Sequence, residues 1–234
     1  MQAYDVAIVG GGITGCALAF ELGRYRVKTA LLERSNDVAA GATRANSGIV
    51  HAGYDPEPGT LMARCNVEGN ALIRELAPAL GVSYRNNGSL VVALSEEDRP
   101  RLKNLFDRGI QNGVPGLELL SGEEARRREP QLAAEVVGAL YAPTAGIISP
   151  WEFALALAET AVRSCPNTRW FPSGKTGRDS AWQPREDGKS GAALWSTRQE
   201  PTGIGSMIWW HRIPLISGRP KASIICWIRL RGIW

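Results

Sequence analysis

The chain has 234 residues, of which 44% are hydrophobic and 21% charged, and its formal net charge is +4. This length allows one large domain or two small ones with a sizeable core. No apolar run approaches the roughly 20 residues of a membrane-spanning helix, and we expect no secretory leader. The basic excess is weak evidence for a nucleic-acid partner, because much of it comes from the segment after Gly191, which contains six basic residues and a single acid, Glu200.

The four cysteines are isolated along the chain. No two of them form a CxxC pair, which argues against a zinc site and against a disulfide framework. We therefore predict no metal site and a reducing, cytoplasmic location. Peripheral contact with the inner face of the membrane stays open.

The chain begins with the pattern of a strand, a turn, a helix and a second strand. Residues 4–9, YDVAIV, form a short apolar run of the kind found in buried parallel strands. A glycine-rich break follows, and residues 16–25 carry apolar side chains at helical spacing. Residues 27–33, VKTALLE, predict the second strand of a βαβ unit, which needs about 30 residues.

The break contains the pattern Gly-x-Gly-x-x-Gly. Its glycines allow a tight turn, a close approach of a pyrophosphate to the backbone, and close packing of the helix on the strand. The phosphates then lie at the helix N-terminus, and an acid about 20 residues further on accepts hydrogen bonds from the ribose hydroxyls. The predicted cofactor-binding residues of this unit are Gly10, Gly12, Ile13, Thr14, Gly15, Glu33 and Arg34.

The alternative is a chance glycine-rich turn followed by a solvated Glu33. The agreement of strand, loop, helix and acid favours a dinucleotide site over that alternative. FAD and NAD share this fingerprint, so the unit by itself leaves both cofactors open.

The remaining elements follow from periodicity and capping signals. Residues 39–54 predict a loop rich in small residues, and the charged run at 123–129 predicts a solvated helix face. Ser121 and Glu124 predict a capping box. The other predicted elements are a helix over 58–80, a strand over 89–94, a helix over 96–112, a strand over 138–141 and a helix over 151–163.

Three stretches resemble the D-amino acid oxidase superfamily of flavoproteins: YDVAIVGGGITGCALAFEL, LLERSNDVAAGATRANSGIVHAGY and GALYAPTAGIISP. The likeness covers residues 4 to about 165 and points to the glycerol-3-phosphate dehydrogenase and L-2-hydroxyglutarate oxidase branch. It implies an α/β fold, in which an FAD-binding Rossmann-like domain of the glutathione-reductase type carries an inserted α+β substrate domain. The implied domains are 1–81 and 150–168 for FAD binding and 82–149 for the substrate.

Residues 41–53, GATRANSGIVHAG, match the family's loop that runs beneath the flavin. The resemblance implies contact of Thr43, Asn46 and Ser47 with the phosphates and ribityl chain of FAD, with Gly48 in the same loop. Small residues suit this place, since the isoalloxazine must lie against backbone. Nicotinamide-only dehydrogenases have no comparable loop, which favours FAD over NAD.

His51, one of two histidines, lies in this loop and is the predicted catalytic residue. Near the flavin it could orient the substrate, transfer a proton or carry a covalent flavin link. The alternative is a loop histidine that is hydrogen-bonded to backbone. Two roles are equally compatible with Arg44: contact with an anionic group of the substrate or cofactor, and exposure to solvent.

The resemblance implies a dehydrogenase or oxidase that removes a hydride from a carbon bearing a hydroxyl or an amine. Electrons would then pass to a quinone, to oxygen or to a partner protein. The favoured small-molecule substrate is sn-glycerol 3-phosphate. L-2-hydroxyglutarate is the second choice and an amino acid the third. A nicotinamide-dependent dehydrogenase and an inactive flavin-domain remnant are the alternatives from other classes.

The chain changes character after about Asn167, and seven of its eight tryptophans lie in residues 169–234. Read with a shifted codon frame, 221–234 can give KGEYYLLDTAAGHL and 194–211 can give VVNAAGAYGDRIHDMVA, both similar to the family. We predict that 169–234 is an out-of-frame tail and that the FAD-binding fold is truncated. A genuine divergent tail, with a hydrophobic surface for a partner, is the alternative.

Overall fold

The computed structural model describes residues 4–164, 168–172 and 193–196. Contacts divide the chain into two compact units, Met1–Asn46 with Pro150–Trp234, and Ser47–Ser149. Residues 47–81 fall in the second unit by this division, and the domain bounds given above stay a prediction. The predicted out-of-frame tail, 169–234, lies outside the described residues except for 169–172 and 193–196.

The described residues form ten strands, five α-helices and a single 3₁₀ turn at Glu96–Asp98. The strands are β1 (Val6–Val9), β2 (Thr29–Glu33), β3 (Ile49–Val50), β4 (Tyr84–Arg85), β5 (Ser89–Ala93), β6 (Glu118–Ser121), β7 (Gly138–Ala142), β8 (Gly146–Ile148), β9 (Thr168–Pro172) and β10 (Ala193–Ser196). The helices are α1 (Ile13–Leu22), α2 (Leu61–Ala79), α3 (Arg99–Gln111), α4 (Gly122–Arg128) and α5 (Pro150–Ser164).

The first unit is built on a parallel sheet with strand order β10-β1-β2-β9. Ile8 pairs with Leu31 in register, and both side chains are fully buried. This continuous burial fits a parallel strand covered on both faces. Helix α1 packs against α5, and Ala19 of α1 is 0% exposed. The predicted βαβ unit is therefore confirmed.

The start of α1 differs from its prediction. The sequence predicts the helix over 16–25, whereas it spans Ile13–Leu22. The turn is complete by Gly12, which is the N-cap residue, so the last part of the glycine motif is already helical. This shift places three motif residues in the first helical turn, where their N–H groups lack partners within the helix.

The second unit contains two antiparallel sheets of three strands, ordered β3-β8-β4 and β5-β7-β6. Its main core lies between β7 and helix α3, and Leu140 at its centre is 0% exposed. The sequence did not predict β3, β4, β6 and β8. Strands of two to four residues are too short for a period of two to be recognised, so tertiary pairing decides them.

The capping box of α4 is confirmed. The Ser121 hydroxyl accepts a hydrogen bond from the Glu124 N–H at 3.3 Å, and Glu124 Oε2 accepts one from the Ser121 N–H at 2.8 Å. Hydrogen bonds from Ser121 lower the pKa of Glu124, because they stabilise its charged form. The charged run that follows is largely exposed, with Arg127 paired to Glu123, as expected of a solvated face.

Candidate functional site

The glycine-rich loop joins β1 to α1 by a turn with almost no free space. Gly10 has φ of +106°, a conformation that side chains with a Cβ rarely adopt, and its N–H donates to the Leu32 carbonyl at 2.7 Å. A Cβ built on Gly15 would lie 1.9 Å from the Gly10 carbonyl oxygen. Only a residue without a side chain allows the helix to begin this close to the strand.

The N-terminus of α1 is capped from a distant loop and not by its own N-cap residue. Its N-cap, Gly12, provides no side-chain cap, and the first turn contains no acidic residue. The Ile13 N–H donates to Thr43 Oγ1 at 3.0 Å. Because the helix dipole and the remaining N–H groups favour negative charge, this end of α1 is suited to a phosphate group.

Glu33 lies against the same loop, at the end of β2. Its Oε2 accepts from the Gly11 N–H at 2.5 Å, and its Oε1 accepts from the Ser35 N–H at 2.8 Å. Each carboxylate oxygen has a further lone pair, so Glu33 can still accept hydrogen bonds from hydroxyl groups. A Cβ on Gly11 would lie 3.1 Å from Glu33, which shows how closely the two are packed.

Residues 37–46 fold back onto the glycine-rich loop. The Ala39 N–H donates to the Gly11 carbonyl at 2.7 Å, and Ala39 has a positive φ of 60°. The Thr43 side chain is buried, and the Asn46 amide donates to the Thr43 carbonyl at 2.7 Å. These contacts bring Thr43 and Asn46 next to the α1 N-terminus.

The structure thus joins most of the predicted cofactor residues in one place. Eight of them are joined by these contacts or lie between residues that are joined. They are Gly10, Gly12, Ile13, Thr14, Gly15, Glu33, Thr43 and Asn46. Arg34 is exposed beside them. Ser47, Gly48 and His51 belong to the second unit.

In the second unit, Gly48 is buried with a φ of +69°, and its carbonyl accepts from the Ile148 N–H at 2.9 Å. Ser47 is exposed. The His51 Nδ1 lies 3.5 Å from Asp55 Oδ2, and the side chain of His51 is 37% exposed. A histidine with this exposure can present its second ring nitrogen to a ligand.

Sequence reasoning missed Gly11 and Cys16. Gly11 occupies a free position of the motif, yet its carbonyl accepts from the Cys16 Sγ at 3.3 Å as well as from Ala39. The run of three consecutive glycines was the available signal. Burial raises the pKa of the Cys16 thiol to about 12, and the Glu33 carboxylate contributes to the shift.

The described residues contain neither a cluster of metal ligands nor a helix that could span a membrane. Among them, no group of three His, Cys, Asp or Glu side chains is arranged to hold a metal ion. None of the described helices combines the length and the apolar character needed to cross a bilayer.

Comparison with known proteins identifies the family. The model of the FAD dependent oxidoreductase family, DAO, matches residues 5–164. The chain belongs to this family. Membership confirms the predicted α/β fold of the FAD-binding type, and it confirms FAD as the cofactor of the family.

Among curated relatives, the chain is similar to a glycerol 3-phosphate dehydrogenase of Caloramator mitchellensis, with 48% identity over 164 residues. These residues cover 70% of the chain and 34% of that relative. The human mitochondrial L-2-hydroxyglutarate dehydrogenase is 38% identical over 160 residues, covering 68% of the chain and 34% of the relative. The chain therefore spans about a third of the length of these relatives.

Among solved structures, the chain is similar to the dithionite-reduced L-α-glycerophosphate oxidase of Mycoplasma pneumoniae with FAD bound. The TM-score is 0.68 at 33% identity, covering 74% of the chain and 45% of that structure. A glycine oxidase of Bacillus cereus gives a TM-score of 0.63 at 29% identity, covering 73% and 46%. Both agree with a family fold that the chain represents in part.

We expect Gly15→Ala to unfold the first unit, because the added methyl group cannot avoid the Gly10 carbonyl oxygen. The expected loss of unfolding free energy exceeds about 4 kcal/mol. Denaturant titration followed by circular dichroism measures it. The matched control is Gly59→Ala, where φ is +80° but no atom lies within 4 Å, so only the backbone cost of about 1–2 kcal/mol applies. Equal losses in both variants would contradict the role assigned to the close contact.

From the raised pKa of the Cys16 thiol we predict that the free energy of unfolding falls at alkaline pH. The folded chain holds the thiol proton more tightly than the unfolded chain, since the pKa rises from 9.0 to about 12 on folding. The stabilisation is therefore fully present below pH 9 and is lost as the pH rises towards 12. Unfolding free energies measured against pH should fall more steeply in this range for the wild type than for Cys16→Ala. Parallel curves would contradict the prediction.

Proposed function

We propose that the protein to which these residues belong is an FAD-dependent dehydrogenase or oxidase that acts on glycerol 3-phosphate or on a 2-hydroxy acid such as L-2-hydroxyglutarate. The observation that carries the proposal is the placement of Glu33 and Thr43 against the glycine-rich loop and the N-terminus of α1. The substrate is supported by the 48% identity to a glycerol 3-phosphate dehydrogenase and the 38% identity to an L-2-hydroxyglutarate dehydrogenase.

The residues present fit FAD through their donor and acceptor chemistry. The N-terminus of α1, where the Ile13 N–H is bonded to Thr43, offers its remaining N–H groups for the pyrophosphate, and Glu33 offers acceptor lone pairs for the ribose hydroxyls. Thr43 and Asn46 would hold the phosphates and ribityl chain, with Ser47 and Gly48 following in the same loop. When bound, FAD supplies the acceptor for a hydride from the substrate carbon.

His51 is proposed as the residue that acts on the substrate hydroxyl. It would accept the hydroxyl proton at a ring nitrogen while the hydride leaves the carbon that bears this hydroxyl. The exposed fraction of its side chain, 37%, supports a role that needs access to a ligand. Covalent attachment of the flavin at His51 is not needed for this role.

Oxidation of an amino acid is the second candidate, supported by the likeness to the glycine oxidase of Bacillus cereus at 29% identity. A small-molecule substrate and an electron acceptor are common to both candidates. The acceptor would be a quinone, oxygen or a partner protein. A cytoplasmic location, with contact at the inner face of the membrane, suits the first of these acceptors and the isolated cysteines.

We also propose that residues 169–234 are translated out of frame. The support is the shifted reading of 194–211 and 221–234, which resembles the family where the given reading does not. Sequencing the gene across the codons for 167–191 tests this directly. A one- or two-base correction should restore both readings, and a stop codon in the shifted frame before them would refute the proposal.

The function is tested by flavin binding and by turnover. Glu33→Gln should weaken FAD binding about 10- to 100-fold, because a hydrogen bond to a charged acceptor is worth about 1.5–3 kcal/mol. Quenching of flavin fluorescence measures the dissociation constant of FAD. Asp5→Asn is the matched control, since its carboxylate accepts from the Lys28 N–H at the other end of the same two strands.

Turnover is measured with glycerol 3-phosphate, L-2-hydroxyglutarate and glycine in separate assays, using oxygen or a quinone analogue as acceptor. The given chain and the product of the frame-corrected gene are compared. We expect reduction of the flavin by glycerol 3-phosphate in the corrected protein. Tight flavin binding with no reduction by any of the three substrates would exclude the proposed substrates and leave only the cofactor assignment.

A further inference from the structure

Residues 51–57, HAGYDPE, form a segment that we call the His51 loop, and its backbone is held by side chains from two helices. The Asn70 amide of α2 donates to the His51 carbonyl at 3.1 Å and to the Thr144 carbonyl at 2.8 Å. Asn70 is 4% exposed, and its bond to the Thr144 carbonyl is buried. The start of the loop is therefore fixed to the turn between β7 and β8.

The middle of the loop is held by the end of α3. The Asn112 amide donates to the Gly53 and Pro56 carbonyls, both at 2.9 Å. The Arg108 guanidinium donates to the Asp55 carbonyl at 2.8 Å. Three backbone carbonyls within four residues thus accept from two side chains of one helix end, which leaves the loop few alternative conformations.

Packing restricts the loop further. Gly53 has a φ of +113°, and a Cβ there would lie 2.6 Å from Val67 Cγ2. The next residue, Tyr54, is 7% exposed and belongs to the core of the second unit. Burial raises the pKa of Tyr54, and the charge of the nearby Asp55 carboxylate contributes to the rise. Asp55 is thus a carboxylate held beside the core by a constrained backbone.

This constrained loop places the Asp55 carboxylate near the His51 ring. The Asp55 Oδ2 lies 3.5 Å from His51 Nδ1, and both side chains are about one-third exposed, at 34% and 37%. The other carboxylate of the loop, Glu57, is 73% exposed and is 3.5 Å from Arg108. The two acids of the loop therefore have different partners, and Asp55 is the one paired with the histidine.

We propose that Asp55 is a positioning residue, which holds the proton of His51 on Nδ1 and so leaves Nε2 free to accept a proton. This inference rests on the proposed function. In that reaction the substrate carbon would lose its hydrogen as a hydride, for which bound FAD would be the acceptor. The hydroxyl proton passes to His51 Nε2, and the carbon–oxygen bond becomes a carbonyl. Asp55 takes no proton, and it fixes the tautomer and the orientation of the ring.

The tautomer of His51 is the first test, because it does not depend on turnover. NMR of the imidazole nitrogens is recorded on the 234-residue chain at alkaline pH, where imidazoles are neutral. The chain has only two histidines, so His51→Gln assigns the signal. We expect the proton on Nδ1 in the wild type and in Glu57→Gln, the matched control. Asp55→Asn should shift the population towards protonation on Nε2.

A wild-type ring protonated on Nε2, or an Asp55→Asn ring unchanged from the wild type, would overturn the proposal. Asp55→Ser removes the same carboxylate and replaces Asp55→Asn if that variant does not unfold cooperatively. Its expected result is the same shift towards Nε2, with the same overturning outcome.

Kinetics provide the second test. With glycerol 3-phosphate and the frame-corrected protein, Asp55→Asn should lower kcat about 10- to 100-fold, by analogy with the loss seen when a carboxylate that orients a metal-ligating histidine is removed. KM should change little, Asp55→Glu should recover part of kcat, and Glu57→Gln should behave as the wild type. A frame-corrected wild type that oxidises none of the substrates would exclude the proposed substrates, and the tautomer measurement would still decide the role of Asp55.

Discussion

The first unit depends on one steric constraint, the approach of Gly15 to the carbonyl oxygen of Gly10. A Cβ at Gly15 would lie 1.9 Å from that oxygen, so strand β1 and helix α1 can join this tightly only through glycine. The tight junction keeps the helix N-terminus next to the end of β2. Glu33 can then bond to the Gly11 N–H, and Thr43 can bond to the Ile13 N–H. The donor and acceptor groups that suit a dinucleotide are therefore consequences of a single close contact.

The second unit uses a different principle, in which side-chain amides and a guanidinium hold backbone carbonyls. Asn70 and Asn112 each bond to two carbonyls, and Arg108 bonds to the carbonyl of a fourth residue of the His51 loop, Asp55. The bond from Asn70 to the Thr144 carbonyl is buried, and breaking such a bond is costly because the carbonyl is left without a partner and without water. The loop that contains His51 is consequently fixed by side chains up to 59 positions away in the sequence, and no local pattern predicts these contacts.

Much of the fold follows from local patterns. The strand–glycine–helix unit, the capping box at Ser121 and the long helices are specified by periodicity and by residues that satisfy helix ends. The short strands β3, β4 and β8 are not, since two or three residues carry no period and form only because a partner strand is available. The start of α1 was predicted too late in the sequence for a related reason. The glycine-rich motif predicts a turn, but the turn ends at Gly12 and the rest of the motif is helical.

For the site, the sequence by itself determined the kinds of group present: glycines for close approach, a carboxylate at the end of β2, and a loop of small residues with one histidine. Their types and spacing limit the chemistry, because each group has a fixed set of donors and acceptors. Only the tertiary structure decided that Thr43 bonds to the helix N-terminus, and that Asp55 rather than Glu57 faces His51. These pairings depend on how distant segments pack, since the direction of a loop side chain is set by the backbone contacts around it and not by its own neighbours in sequence.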